Sequence, residues 1–384
     1  MKIAFDAKRI YQNNTGLGNY SRTLVQSLAQ KFVENDYYLI APKITTRFNA
    51  AAYPHCHVVT PKGFFLQKIK GWWRSCLVKN ELKNYKIDIY HGLSHEIPFG
   101  IQYTGIKSVV TIHDLIFERY PEQFNRIDRI IYRYKFKNAC KHADRIIAIS
   151  EQTKQDIIDL YKIDEKKITV CYQSCDANFY QPVADVEKNA IKKKYTLPDE
   201  FFLYVGSVIE RKNLLSICKA MLMLPEANPI PLVVIGKGGK YLREVKAFVQ
   251  KNNLSNKIIF LYESIDKNQS LEFKDFPAIY QLATAMIYPS IFEGFGIPIL
   301  EAMASNIPVI ISNVSCMPEV GGEAALYINP SQPAEIAKAM QSIVENKTLA
   351  STLRAKSATQ AELFDAEKCA AKVMNVYLNL MHDH

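Results

Sequence analysis

Apolar residues along the chain come in short runs separated by longer amphipathic stretches, and the alternation occurs twice. KIAFDA (Lys2 to Ala7), YYLIAP (Tyr37 to Pro42), KIDIYHG (Lys86 to Gly92), SVVTIHD (Ser108 to Asp114), RIIAIS (Arg145 to Ser150) and KITVCY read as buried strands. Between them lie helical patterns: roughly Tyr20 to Lys31 with Leu24, Val25 and Leu28 on one face, a long basic stretch Phe124 to His142, and Glu151 to about Leu160 behind the cap Ser150. From Gln173 to Pro198 the pattern loosens and includes the charge run Lys192-Lys193-Lys194. It resumes with FFLYVGS, PLVVIGKGG, KIIFLY, AMIYPS, VIIS and ALYIN as strands. Helices are expected near Leu271 to Ala283, Ala334 to Glu345, Thr348 to Glu362 and Asp365 to Met381. The expected fold class is α/β, with two Rossmann-like parallel-sheet domains facing each other across a cleft. Their expected extents are residues 1–175, a linker 176–198, and 199–364, with a helix at 365–384 packing back on the first domain.

The most informative stretch runs from Pro289 to Pro308, PSIFEGFGIPILEAMASNIP. A strand ends at the proline, a loop carries Glu293, Gly294, Phe295 and Gly296, and Pro298 suits the first turn of a helix. Glu301 sits in that helix. Backbone N–H groups at a helix start beside glycines suit an anion such as a diphosphate, and carboxylates there accept hydrogen bonds from hydroxyls. Two glutamates at this spacing carry little weight alone; the surroundings decide.

The chain has 384 residues, 48% of them hydrophobic, enough for two cores. Asp6 interrupts the first apolar run, so a strand is expected there, not a signal peptide. No apolar run is long enough to span a membrane. The eight cysteines form no CxxC pair, which points to reduced thiols and a cytoplasmic protein, with a metal role for Cys171 and Cys175 disfavoured. The net charge of +10 is concentrated: residues 1–200 hold 31 Lys and Arg against 21 Asp and Glu, and the remainder is balanced. A basic half meets nucleic acid, an anionic membrane or a phosphorylated substrate. No nucleic-acid recognition pattern supports the first.

Other candidate chemistry lies at strand ends. Gly16-Leu17-Gly18 falls between the first strand and first helix, where α/β sheets bind phosphates, but Ser21 occupies the third glycine position of a dinucleotide fingerprint. No acid ends the next strand to hold a ribose, so a nicotinamide oxidoreductase is disfavoured. His113 ends a buried strand. Arg211 and Lys212, at a strand-to-helix turn, offer a fork and a point charge to a diphosphate. No DxD pair occurs, so no divalent metal and no cofactor is called for. The segment Phe64 to Lys83, with Trp72, Trp73 and many lysines, reads either as an interfacial amphipathic stretch on an anionic membrane or as a surface helix with the tryptophans in the core.

These segments resemble the family 4 retaining glycosyltransferases of GT-B architecture, over nearly the whole chain. EGFGIPILEAMA is similar to the family's E-x7-E motif, and TGLGNYSRTL, VVTIHDLIFERYPE, ADRIIAISEQTKQDI, FLYVGSVIERKNL and NVSCMPEVGGEAALYINP are similar to further family segments in order. The resemblance implies transfer of a sugar from a nucleotide-diphosphate sugar to a glycan acceptor. It implies catalytic roles for Glu293 and His113 near the donor sugar, with Glu301 on the ribose. Arg211 and Lys212 would neutralise the leaving diphosphate, Gly16 and Gly18 would approach it from the other domain, and Gly294, Phe295 and Gly296 would complete the donor loop. Ser207 stands where many members have arginine, so charge neutralisation falls to Arg211 and Lys212. Asn306 replaces a usual glycine at a position that tolerates left-handed geometry. Members of this look often transfer mannose in surface polysaccharide assembly, which makes GDP-mannose the first donor expected and a UDP-sugar the second. The basic first half favours a lipid-linked acceptor at the inner membrane face. A GT-B sugar-nucleotide epimerase and a non-catalytic glycan- or membrane-binding protein are the competing readings; donor isomerisation without acceptor would mark the epimerase.

Overall fold

The computed structural model describes residues 1–13, 15–225, 230–264 and 270–382. Residue 14, in the loop expected after the first strand, and residues 383–384, at the end of the expected last helix, lie outside the described residues. The chain divides into two compact units, Met1–Cys175 with Asp365–His384, and Asp176–Phe364.

Unit 1 is built on a seven-stranded parallel sheet. Its strands are β1 (Lys2–Asp6), β2 (Asp36–Ile40), β3 (Cys56–Val59), β4 (Ile89–Gly92), β5 (Lys107–Ile112), β6 (Arg145–Ala148) and β7 (Ile168–Val170). Their spatial order is β3-β2-β1-β4-β5-β6-β7. The sheet order therefore reverses between β1 and β4, where Ala4 pairs with Tyr90, and ligands of open α/β sheets bind at such a reversal, beyond the carboxyl ends of the strands. One face is covered by the helix Gly16–Lys31 and by Ala366–His382, whose Val373, Met374, Tyr377 and Leu380 join Ile3, Phe5, Leu24 and Leu28 in one core.

Unit 2 repeats the plan with β8 (Phe202–Val205), β9 (Leu232–Ile235), β10 (Ile258–Phe260), β11 (Ala285–Tyr288), β12 (Val309–Ser312) and β13 (Ala325–Ile328), in the order β10-β9-β8-β11-β12-β13. Four strands, β8, β9, β11 and β12, are buried along their whole length. That is why they read as unbroken apolar runs and not as alternations. The reversal here falls between β8 and β11.

The structure adds strand β3 to the expected set and departs from the sequence reading in three further places. The segment 176–198, expected as a linker, folds with unit 2: helix Asp185–Lys194 buries Ile191, while Lys194 Nζ and Tyr195 OH reach Asp275 at 2.7 and 2.5 Å. The helix expected from Tyr20 begins at Gly16, because Asn13 Oδ1 accepts from the N–H of Gly18 at 3.0 Å and secures the first turn. The segment Phe64–Lys83 is not one continuous helix but short helical pieces broken at Ile69 and at a π-turn over Trp73–Leu77. Its two tryptophans part: Trp73 is buried with its indole N–H on Glu81, and Trp72 is exposed. No helix among the described residues is long and apolar enough to cross a membrane.

Candidate active site

In unit 2 the sequence-selected charges converge at the sheet reversal. β8 ends at Val205, Gly206 follows it, and the chain turns through a 3-10 segment, Glu210–Lys212, into helix Leu214–Met221. Asn213, in the left-handed region at φ 58°, ends the turn and ties it to the next loop by donating to the carbonyl of Pro289 at 3.2 Å. Ile291 N–H donates to the carbonyl of Arg211 at 2.8 Å, so the turn after β8 and the loop after β11 are held edge to edge. Lys212 then lies over Gly206, where an added Cβ would meet its Cδ at 3.2 Å, so the glycine leaves room for the lysine stem.

Glu293 is the centre of this arrangement. Its Oε1 lies 2.9 Å from Arg211 Nη1 and 2.9 Å from Lys212 Nζ, and it accepts from Tyr288 OH at 3.1 Å and Ser290 Oγ at 2.9 Å. Lys212 also donates to Tyr288 OH, and Arg211 to the carbonyl of Phe292. These four contacts fall on Oε1. Ser315 Oγ accepts from Glu293 N–H at 3.2 Å and donates to its carbonyl at 2.8 Å, fixing the backbone as well. Burial pushes the Glu293 carboxyl up, but Lys212 and Arg211 outweigh it and hold the pKa at about 2. The group is ionised at any physiological pH, and the cluster carries two cations for one carboxylate.

Glu301 behaves in the opposite way. It is buried in helix Ile297–Ala304 with Tyr280 OH donating to Oε2 at 2.7 Å, and burial pushes its pKa up to about 7. The two glutamates of one motif thus sit in one unit with protonation behaviour set apart by their surroundings. Gly296 caps that helix at φ 102°, a conformation side chains resist. Gly294 lies in the same loop beside Glu293. The Phe295 side chain is turned into the core, its ring 5.5 Å from Phe364, so its ring is not part of a ligand-facing surface. Asn306 adopts φ 58°, the left-handed geometry expected of it.

In unit 1, His113 follows β5 and is buried. Its Nε2 lies 2.9 Å from the carbonyl of Leu93 and its Nδ1 2.7 Å from Gln173 Nε2, an arrangement satisfied by a proton on Nε2. Burial lowers its pKa to about 4, so it is a neutral imidazole with both ring nitrogens engaged. His91 is likewise buried and neutral, between Tyr377 OH at 2.6 Å and Thr111 Oγ1 at 2.8 Å. Gly16 opens its helix on the surface. Gly18 is buried, and a Cβ there would fall 2.1 Å from the carbonyl oxygen of Asn13. Close packing of the preceding loop is therefore sufficient reason for that glycine. The sequence reading missed Tyr288, Ser290 and Ser315. Only Ser290, three residues before Glu293 after a strand end, left a trace in the sequence.

Known proteins similar to the chain are glycosyltransferases. Residues 14–179 match the model described as Glycosyltransferase Family 4, and residues 186–361 match Glycosyl transferases group 1. The chain is a family 4 glycosyltransferase. It is 27% identical to O-antigen chain mannosyltransferase B of Escherichia coli, over 98% of this chain and 99% of that one. To O-antigen chain mannosyltransferase RfbU of Salmonella typhimurium it is 32% identical, over 62% of this chain and 60% of that one. Among solved structures it shares its fold with Anabaena HepE in complex with UDP-glucose, at a TM-score of 0.74 and 15% identity, over 99% of this chain and 100% of that one. For this glycosyltransferase the two parallel-sheet units are thus the GT-B fold, and the cluster around Glu293 is the candidate donor site.

Proposed function

We propose that the enzyme transfers mannose, with retention of configuration, from GDP-mannose to a lipid-linked glycan acceptor in surface polysaccharide assembly. The observation that carries the donor half is the pair of buried Arg211 and half-buried Lys212 on one oxygen of Glu293, with positive charge in excess. Breaking a sugar–diphosphate bond builds negative charge on the leaving phosphate and positive charge on the sugar. Preorganised cations stabilise the first without reorganising at the moment of reaction. We assign that task to Arg211 and Lys212, with no metal and no cofactor. Glu293 Oε2 receives hydroxyls of the donor sugar, and Glu301 receives those of the ribose. The loop Gly294 to Gly296 contributes backbone, as do Gly16 and Gly18 in unit 1. His113, neutral and held at both ring nitrogens, serves near the sugar as a positioning group and not as a proton shuttle. Mannose as the sugar follows from the two O-antigen mannosyltransferase relatives. HepE, solved with UDP-glucose, keeps a UDP-sugar as the competing donor.

A thermal-shift series with GDP, UDP, GDP-mannose and UDP-glucose tests the donor, since a bound ligand raises stability according to its affinity. The expected result is stabilisation by GDP and GDP-mannose, abolished for the sugar increment in Glu293→Gln. Stabilisation by UDP compounds alone would replace the donor, and full transfer by Glu293→Gln would remove that residue from the chemistry.

A further inference from the structure

The loop after β12 is strained at one point. Ser315 sits at φ 58°, in the left-handed region that glycine enters freely and a residue with a Cβ resists. Such a conformation persists only where the surrounding structure over-determines it, and it clusters at functional sites. Here two bonds to a single residue hold it. Ser315 Oγ accepts from the N–H of Glu293 at 3.2 Å and donates to the Glu293 carbonyl at 2.8 Å. The next side chain grips the same loop: Cys316 Sγ lies 3.2 Å from the carbonyl of Glu293 and 3.1 Å from that of Phe295. Burial, with the Glu293 charge nearby, pushes the Cys316 thiol well up, so it keeps the proton it donates. Strand order explains the pairing. β11 lies between β8 and β12, so the loop after β11 has a neighbour on each side. From the β8 side come the cations that hold the Glu293 carboxylate. From the β12 side come Ser315 and Cys316, which hold its main chain. Glu293 is buried in irregular backbone, and among the described residues neither its N–H nor its carbonyl has a main-chain partner. Side chains must supply the bonds that a strand or helix would give.

We propose that Ser315, with Cys316 beside it, is a positioning residue of the donor site: its hydroxyl sets the direction in which the Glu293 carboxylate meets the donor sugar. The cations fix where the charge of Glu293 lies, and the bracket on its N–H and carbonyl fixes how the residue is turned. A small misplacement of a reacting group lowers rate far more than it lowers binding. Glycine at position 315 would remove the backbone strain, but it has no hydroxyl, so strain and positioning are coupled in this one residue. The role rests on the reading of Glu293 as the group that faces the donor sugar, whereas the bracket itself is measured without any transfer reaction.

Three substitutions in the full chain separate strain from hydroxyl. Ser315→Gly removes both, Ser315→Ala removes the hydroxyl alone, and Ser315→Thr keeps the hydroxyl while adding a branched Cβ to a left-handed backbone. Stability and activity are expected to part. Ser315→Gly should melt roughly 2–4 °C above Ser315→Ala, because it relieves the strain. Both should nevertheless lose about tenfold in kcat, with the donor KM within about twofold of the parent, since Arg211 and Lys212 still hold the diphosphate. Ser315→Thr should melt below the parent and keep kcat within about threefold of it. Amide exchange over 291–296, followed by mass spectrometry, should quicken by about tenfold in Ser315→Gly and Ser315→Ala and stay parent-like in Ser315→Thr. The proposal is overturned if kcat follows melting temperature across the three variants, if Ser315→Gly keeps the parent kcat, or if exchange over 291–296 ignores the loss of the hydroxyl. Should Ser315→Thr fail to fold, Ser315→Gly, Ser315→Ala and the exchange decide. Glu293→Gln tells the two levels apart. Full transfer by that variant would withdraw the donor-sugar role of Glu293, while quickened exchange in Ser315→Gly would still uphold the bracket. An impaired Glu293→Gln beside fully active Ser315→Gly and Ser315→Ala would overturn this inference and leave the functional reading in place.

Discussion

The two units share a sheet plan and differ in what they place at its reversal. Beyond β1 in unit 1, Arg74 is buried between Asp6 and Glu96, and Lys135 reaches Glu96 at 3.2 Å. Half-buried Lys8 and Arg9 lie in electrostatic reach of the same group, but the buried guanidinium is divided between two carboxylates, and the nearby His91 and His113 are neutral. Beyond β8 in unit 2, two cations face one carboxylate. A buried cation bonded to two carboxylates fixes local structure, whereas two cations sharing one carboxylate oxygen retain charge for a ligand. Equal topology therefore does not mean equal work: the way cations are shared among carboxylates at the strand ends separates the candidate donor site from its counterpart.

That contrast breaks most sharply at its two centres. Arg74→Met strands Asp6 and Glu96 without their buried partner, and about 3–5 kcal/mol of stability should go, measured by denaturant unfolding. Glu293→Gln leaves Arg211 and Lys212 without their carboxylate and should likewise cost stability, about 3 kcal/mol at neutral pH, while lowering kcat by about 100-fold to 1000-fold, the scale of losing one preorganised polar group at a reacting centre. Glu96→Gln, its structural counterpart, should change kcat by less than about threefold.

The two glutamates of unit 2 sharpen the comparison through pH. Glu301 has its pKa raised from 4.5 to about 7 by burial. Below 4.5 it is protonated folded or unfolded and costs nothing. Between 4.5 and about 7 the unfolded chain releases the proton while the folded one keeps it, so stability falls and then levels. Glu301→Gln should match the parent at pH 4 and exceed it at pH 8 by up to roughly 3 kcal/mol. Glu293, depressed to about 2, has the opposite sign: its contribution is present above 4.5 and is lost as pH falls toward 2. If Glu301 holds the ribose, nucleotide affinity should also rise through pH 7 in the parent and stay flat in Glu301→Gln, as read by calorimetry. The smallest effect is Ser290→Ala, which removes the Ser290 hydroxyl bond to Oε1. A loss of about 1 kcal/mol, near fivefold in kcat/KM, is expected.

Most of the fold could be read from the chain because parallel strands buried on both faces appear as unbroken apolar runs, as VIIS does in β12. β3 escaped notice because it is an edge strand whose His57 and Val58 face outward, giving CHVV no apolar run. The helix start at Gly16 escaped because glycine argues against a helix, while the capping group, Asn13, lies behind it. In the site, Glu293, Arg211 and Lys212 stood out as charges next to apolar strands. Tyr288 did not, because a tyrosine closing AMIY reads as strand filler; only the approach of the turn after β8 gives its hydroxyl a lysine and a glutamate. Strand order, and with it the placing of both reversals, has no local signal at all.

The helix Ala366–His382 has a consequence for how the protein is made. Its Val373, Met374, Tyr377 and Leu380 are core residues of unit 1, and Tyr377 OH holds His91 at 2.6 Å. On the ribosome, unit 1 emerges first yet stays short of its own interior until all of Asp176–Phe364 has followed. Unit 2 is contiguous and can close during synthesis, whereas unit 1 must wait, with apolar surface uncovered, for a helix translated about 190 residues later. The birth order of the two units is thus the reverse of their order in sequence, and a chain that stalls near Phe364 would carry a finished unit 2 tethered to an open unit 1.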